Sequence, residues 1–100
     1  MVTVSVVLTL YLPAAHSLKE KRAVVRSLVE RLRARLDVSA AEVGAQDLTQ
    51  RAEVGFAVVS GDLATARRLA DEAQRFADRE LLGRAEVIDR IVEEYVLDVE

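Results

Sequence analysis

The run His16-Ser17-Leu18-Lys19-Glu20-Lys21-Arg22 puts three cations into the first turns of an amphipathic helix. That end of a helix is already the positive pole of its macrodipole, so each cation there costs about a few tenths of a kcal/mol or more. A local rule broken in this way marks a site. On a helical wheel Lys19, Arg22, Arg26 and Arg33 share one narrow arc beside the apolar stripe, with Glu30 at its margin. The stripe suits phosphates spaced along a nucleic-acid backbone, or a single anionic ligand near its upper end. A solvated helix face is the plain alternative.

Lys21 falls on the apolar side of the same wheel, among Val25, Leu28 and Leu32. At the first turn its long stem can pass the end of the core and project toward Gln46 and Asp47, to meet either an anion or Asp47 itself. A structural Lys21–Asp47 pair that locks the loop explains the residue equally well. His16 sits just before the helix cap. With no orienting carboxylate or Ser-His-Asp order to argue from, it is expected to hydrogen-bond backbone in a loop rather than to act as a general base.

Charge is polarised along the chain. The net charge is -3, yet Ser17 to Leu36 carries +5, residues 37 to 61 carry -3 and residues 62 to 100 carry -5. One face for an anionic partner on an otherwise acidic protein is implied. Cys is absent, which removes disulfides, a thiolate nucleophile and cysteine-based zinc sites. No P-loop, GxGxxG or nucleophile elbow is present, and no HxxxH or DxDxDG spacing suggests a metal, so no cofactor is expected. Val2 to Leu12 is too short to span a bilayer and lacks the flanks of a signal peptide, so a cytoplasmic protein with no membrane partner is expected.

Three elements must position the cations. Val2, Val4, Val6, Leu8, Leu10 and Leu12 alternate as one buried face of a strand that Pro13 stops. Ser17 with Glu20 forms a capping box, and Leu18, Val25, Leu28, Val29, Leu32 and Leu36 carry a helix from about Ser17 to Leu36. Val38–Val43 and Gln50–Ser60 read as a hairpin around residues 44 to 49. Asp62 caps a second helix with a stripe of Leu63, Ala66, Leu69, Ala70, Ala73, Phe76 and Ala77, supported outside by Arg67–Asp71 and Arg68–Glu72 pairs and ending near Gly83.

Residues 85 to 98 fit helix or strand by periodicity; topology favours a bulged strand, since one more strand completes a split βαβ sheet. The expected fold is therefore one ferredoxin-like βαββαβ domain over residues 1 to 100, a four-stranded antiparallel sheet with two helices on one face. In that topology the 13–22 connection and the 44–51 hairpin meet at one end of the sheet, as does the 81–84 connection. The polar end cluster His16, Gln46, Asp47 and Gln50 then stands with the cations Lys19, Lys21, Arg22 and Arg51.

A hairpin symmetric about its loop sets Glu42 opposite Glu53 on the face away from the helices, where like charges repel. Arg51 or Arg90 relieves them, or they form one end of a cation site with Asp47 and His16. The open face also carries Thr3, Ser5, Val7, Thr9, Tyr11, Ala57 and Val59, too apolar to be plainly solvated. A homo-oligomer packing there or along an edge strand is expected. Phe56 belongs to the helix-facing set, so the central strands offer no platform for stacking bases.

At His16–Arg22, and again at Ser39-Ala40-Ala41-Glu42-Val43-Gly44-Ala45-Gln46-Asp47-Leu48-Thr49-Gln50-Arg51-Ala52-Glu53, the chain resembles the YlxP-like family of small bacterial proteins of unknown function (DUF503). The resemblance spans nearly the whole chain and implies a ferredoxin-like fold. Family members are often encoded beside genes for translation initiation and ribosome maturation, which by association implies a role near ribosomal RNA without supplying a mechanism. Ala45 and Thr49 are small where relatives carry bulkier or aromatic residues, which puts any stacking role of that loop in doubt here.

The leading expectation is a non-enzymatic RNA- or ribosome-associated factor, with Lys19, Lys21, Arg22, Arg26, Arg33 and Arg51 as the RNA- or anion-binding set. A homo-oligomeric interaction module that senses a small anion at its polar end is the alternative. An enzyme built on His16 and Asp47 is the least favoured, for want of a nucleophile and an orienting group.

Overall fold

A computed structural model describes residues 1–99. Its elements are β1 (Val2–Tyr11), α1 (Leu18–Arg35), β2 (Ser39–Gly44), β3 (Arg51–Ser60), α2 (Leu63–Leu81) and β4 (Glu86–Val96). One antiparallel sheet holds the strands in the order β2-β3-β1-β4, which with both helices on one face is the ferredoxin-like α+β arrangement. The segment ambiguous by periodicity is a strand, and its pairing with β1 slips between Thr9 and Leu10, leaving Ile88 as a bulge.

The even-numbered residues of β1 and, from Ala52 to Val58, of β3 face the helices and are buried, Leu8, Leu10 and Val54 among them. Val25, Leu28 and Leu32 of α1 and Ala66, Ala70, Ala73 and Ala77 of α2 close the core from above. The alanine stripe brings the α2 backbone close to the sheet, over β1 and β3. Caps hold both helix starts. Ser17 Oγ accepts the Glu20 N–H at 3.1 Å, and the Glu20 carboxylate returns to the N–H of His16 at 2.9 Å, one residue earlier than a strict capping box would have it. Asp62 Oδ2 accepts the N–H of Thr65 at 2.9 Å and its hydroxyl at 2.7 Å.

Two pairings differ from the expectation. Arg67 reaches across to Glu94 of β4 with two hydrogen bonds, Nη2 to Oε1 at 2.8 Å and Nε to Oε2, instead of pairing with Asp71 one turn on. The bidentate fork is a better partner for guanidinium than a local carboxylate can offer. Arg68–Glu72 forms at 3.1 Å as expected.

The second correction concerns Glu42 and Glu53. Glu42 pairs with Val54, and Gly44 with Glu53, so Val43 is an extra residue that makes the hairpin asymmetric. Glu42 shares the parity of Ala40 and faces the helices, whereas Glu53 lies opposite Thr9 on the open face. The two carboxylates are on opposite faces and do not repel across the ladder. A Cβ at position 44 would stand 2.6 Å from Glu53 Oε2, the free end of a side chain that can swing aside. Among the described residues no helix is long and apolar enough to cross a membrane.

Candidate functional site

The two polar segments meet. The N–H of Leu12 donates to the Gln50 carbonyl at 2.9 Å, and Gln50 Nε2 donates to the carbonyls of Pro13 at 3.2 Å and Ala15 at 3.3 Å. Gly83 and Arg84 arrive beside Leu12, Ala15 and Glu20, completing that end of the molecule. A cleft of about 580 Å³ opens between the segments, lined by Tyr11, His16, Leu48, Thr49, Gln50 and Arg51. Gln46 and Asp47 are exposed at the loop tip, outside the cleft lining.

Lys21 is 0% exposed. Its Nζ donates to the carbonyls of Ala45 at 2.8 Å, Gln46 at 3.1 Å and Arg51 at 3.1 Å, and stands 3.3 Å from Glu42 Oε2. The carboxylate that meets Lys21 is thus Glu42, brought under α1 by its strand parity, and not Asp47. Three carbonyls take the three ammonium protons, while the Glu42 oxygen contributes charge. The arrangement fixes the 45–51 loop to the first turn of α1, and it holds Ala45 at a φ of 55°, a left-handed conformation uncommon for a residue with a Cβ. Lys21 is a strut inside the protein and presents no ammonium at its surface.

The rest of the stripe is at the surface. Lys19, Arg22, Arg26 and Arg33 are exposed along α1. Arg22, Arg26 and Arg33 line a groove of about 270 Å³ between α1 and the β2 edge, floored by Val25, Val29, Ala41 and Glu42. Arg33 is partly committed, since its Nε donates to the Ala40 carbonyl at 2.9 Å. Lys19 lies one turn outside the groove, and Arg51 faces the cleft on the far side of the Lys21 strut. Three of the four cations on the wheel arc therefore share one groove, while Arg51, from β3, belongs to a separate cleft.

Phe56 is buried among the helices, while Tyr11 lines the cleft and Tyr95 lies exposed on β4. Among the described residues no three His, Asp or Glu side chains gather as a metal site. The groups whose acidity departs from the ordinary range lie elsewhere: the Thr65 hydroxyl and amide hold Asp62 below the usual carboxylate range, and the Arg67 fork does the same for Glu94. Sequence reasoning missed Tyr11 and Leu48 as cleft residues. It also missed the exposed apolar side chains of β4, although the density of Val, Ile and Tyr there was their signal.

Comparison with known proteins places the chain among small proteins of this size. Residues 3–91 match the family described as "Protein of unknown function (DUF503)". The "Uncharacterized protein YlxP" of Bacillus subtilis (strain 168) is 38% identical over 64 residues, covering 64% of this chain and 70% of that protein. Among solved structures, the de novo designed protein Foldit4 superposes with a TM-score of 0.55 at 14% identity, over 98% of this chain and 100% of that one. At3g17210 from Arabidopsis thaliana superposes at 0.50 with 13% identity, over 100% and 98%. At such identities the structural likeness is one of fold.

Proposed function

The chain belongs to the DUF503 family, and from that premise we propose that it is a non-enzymatic RNA-binding protein of the cytoplasm, acting on ribosomal RNA or a ribosomal subunit. The observation that supports this reading is the groove between α1 and β2, which gathers Arg22, Arg26 and Arg33 on a protein whose net charge is -3. Guanidinium groups grip phosphate oxygens bidentately, and Arg22 and Arg26 stand one turn apart, about 6 Å of helix rise. The acidic remainder of the surface keeps the polyanion to this one face.

Co-sedimentation with ribosomal subunits and with bare ribosomal RNA across a salt series tests the reading. Wild-type protein should bind saturably, with affinity falling as salt rises. The Lys19→Ala/Arg22→Ala variant should bind more weakly, with a log–log salt slope shallower by about 1 to 2. Unchanged affinity in the variant removes the stripe from the interface.

A second reading rests on the cleft between Tyr11, His16 and Arg51, which suits a small anion sensed at the polar end. Inorganic phosphate or pyrophosphate should then raise the melting temperature, and Arg51→Ala should abolish the rise while Lys19→Ala/Arg22→Ala leaves it intact.

A further inference from the structure

Strand β4 is an edge of the sheet with no strand on its outer side among the described residues, and its apolar residues are exposed on both faces. Ile91 and Tyr95 are 52% and 65% exposed on the open face, and Val92 and Val96 are 48% and 56% exposed on the helix face. The helices leave them bare because α2 packs over β1 and β3 and reaches β4 through ion pairs, Arg67–Glu94 and Arg90–Asp78. A long, apolar, unpaired edge is a template for another strand.

The hydrogen-bond alternation says which groups are free. Met1 and Leu97 exchange both backbone hydrogen bonds, each at 2.8 Å, so they are a mutually bonded pair of the antiparallel ladder. Alternation then turns the N–H and C=O of Val96, Glu94, Val92 and Arg90 outward. The Arg90 N–H donates to the side chain of its neighbour Asp89 at 2.9 Å, as an amide without a strand beside it does.

We propose that β4 pairs antiparallel with β4 of a second copy about a two-fold axis at Val92, joining two sheets into one of eight strands. A two-fold through an antiparallel pair passes through a residue set against itself, either in a hydrogen-bonded pair whose backbone groups point outward, with Arg90, Val92 and Glu94 as centres, or in a non-hydrogen-bonded pair whose groups point inward, with Ile91 and Glu93 as centres. Centring on Ile91 sets Asp89 against Glu93, twice by symmetry, and centring on Glu93 sets that carboxylate against itself. Centring on Arg90 sets Arg90 against itself and Glu94 against Glu86. Centring on Glu94 sets that carboxylate against itself. Centring on Val92 sets Arg90 opposite Glu94 of the second copy, twice by symmetry, and Val92 opposite Val92.

The charges then alternate across the junction: Asp78, Arg90, Glu94 of the second copy, Arg67 of the second copy. On the open face Ile91 lies diagonal to Ile91 and Tyr95 of the second copy, which covers the exposed apolar groups.

Light scattering and sedimentation velocity over a dilution series read the outcome, with far-UV circular dichroism as the check on folding. Wild-type protein should run at twice the chain mass. Val92→Pro should be a folded monomer, because its missing N–H points away from β1 and the proline sits on an edge. Arg90→Glu and Glu94→Arg should each be monomeric alone, since each creates two like-charge pairs at the junction. An equimolar mixture of the two should dimerise, because each then supplies the charge the other lacks. A wild-type monomer at every concentration overturns the proposal, as does a dimer that survives Val92→Pro or a mixture that stays monomeric.

Discussion

At one edge of the sheet β2 is six residues long, bulged at Val43 and roofed by α1, whose Arg33 caps the Ala40 carbonyl and whose Lys21 holds Glu42 and the following loop. At the other edge β4 runs for eleven residues, and among the described residues the side-chain hydrogen bond to its outer backbone is that of Asp89 to the Arg90 N–H. The first edge is blunted by shortness, a bulge and two cations reaching down from a helix. The second carries charges too, but their sequence is complementary to itself about Val92. An edge strand can thus be guarded against every partner or against every partner but one, and the difference lies in where the charges stand along it.

The comparison breaks most sharply at Lys21. Lys21→Met keeps the length of the side chain but leaves Glu42 and three carbonyls without their cation, and urea denaturation should show a loss of about 3 kcal/mol. Adding Glu42→Gln should restore part of it, since no buried carboxylate is then left unpaired. The same Met substitution at exposed Lys19 should leave stability within about 0.5 kcal/mol.

A smaller effect is expected at Arg33. Arg33→Ala removes the cap on Ala40 and should cost about 1 kcal/mol, with faster amide exchange in β2 than in β3 as the local sign. Arg33→Lys should recover the RNA salt slope without the cap, which separates the two duties of the side chain.

The smallest effect concerns acid. Asp62 and Glu94 both titrate below the ordinary carboxylate range, Asp62 through the Thr65 hydroxyl and amide and Glu94 through Arg67. A carboxylate depressed in the folded state contributes stability above its unfolded pKa and loses it as pH falls through the folded one. Stability should therefore decline from the ordinary carboxylate range downward. Asp62→Asn and Glu94→Gln should each flatten the decline, with no change near neutrality in how it depends on pH, as thermal melts across acidic buffers would show.

Much of this was open to a sequence reader. Alternation in residues 2–12 and 50–60 is set by burial of one sheet face, and Ser17 and Asp62 announce helix starts through the amides they cap. The meeting of the 13–22 and 44–51 segments follows from the topology alone. What could not be seen is instructive in physical terms. A bulge at Val43 has no composition of its own, so a symmetric hairpin placed Glu42 on the wrong face and hid it from Lys21. Arg67 satisfies the helical spacing to Asp71, yet a cross-element bidentate partner outcompetes it, and only tertiary structure brings Glu94 within reach.

The burial of Lys21 also gives the molecule a chemical reporter. The sequence contains two lysines, Lys19 and Lys21, two positions apart on one helix. An amine-reactive reagent meets the first in the native protein and the second only when α1 and the 45–51 loop part. Peptide mass spectrometry of a labelling time course would read the ratio of the two as the frequency of that opening, with Lys19 as the internal reference for intrinsic reactivity.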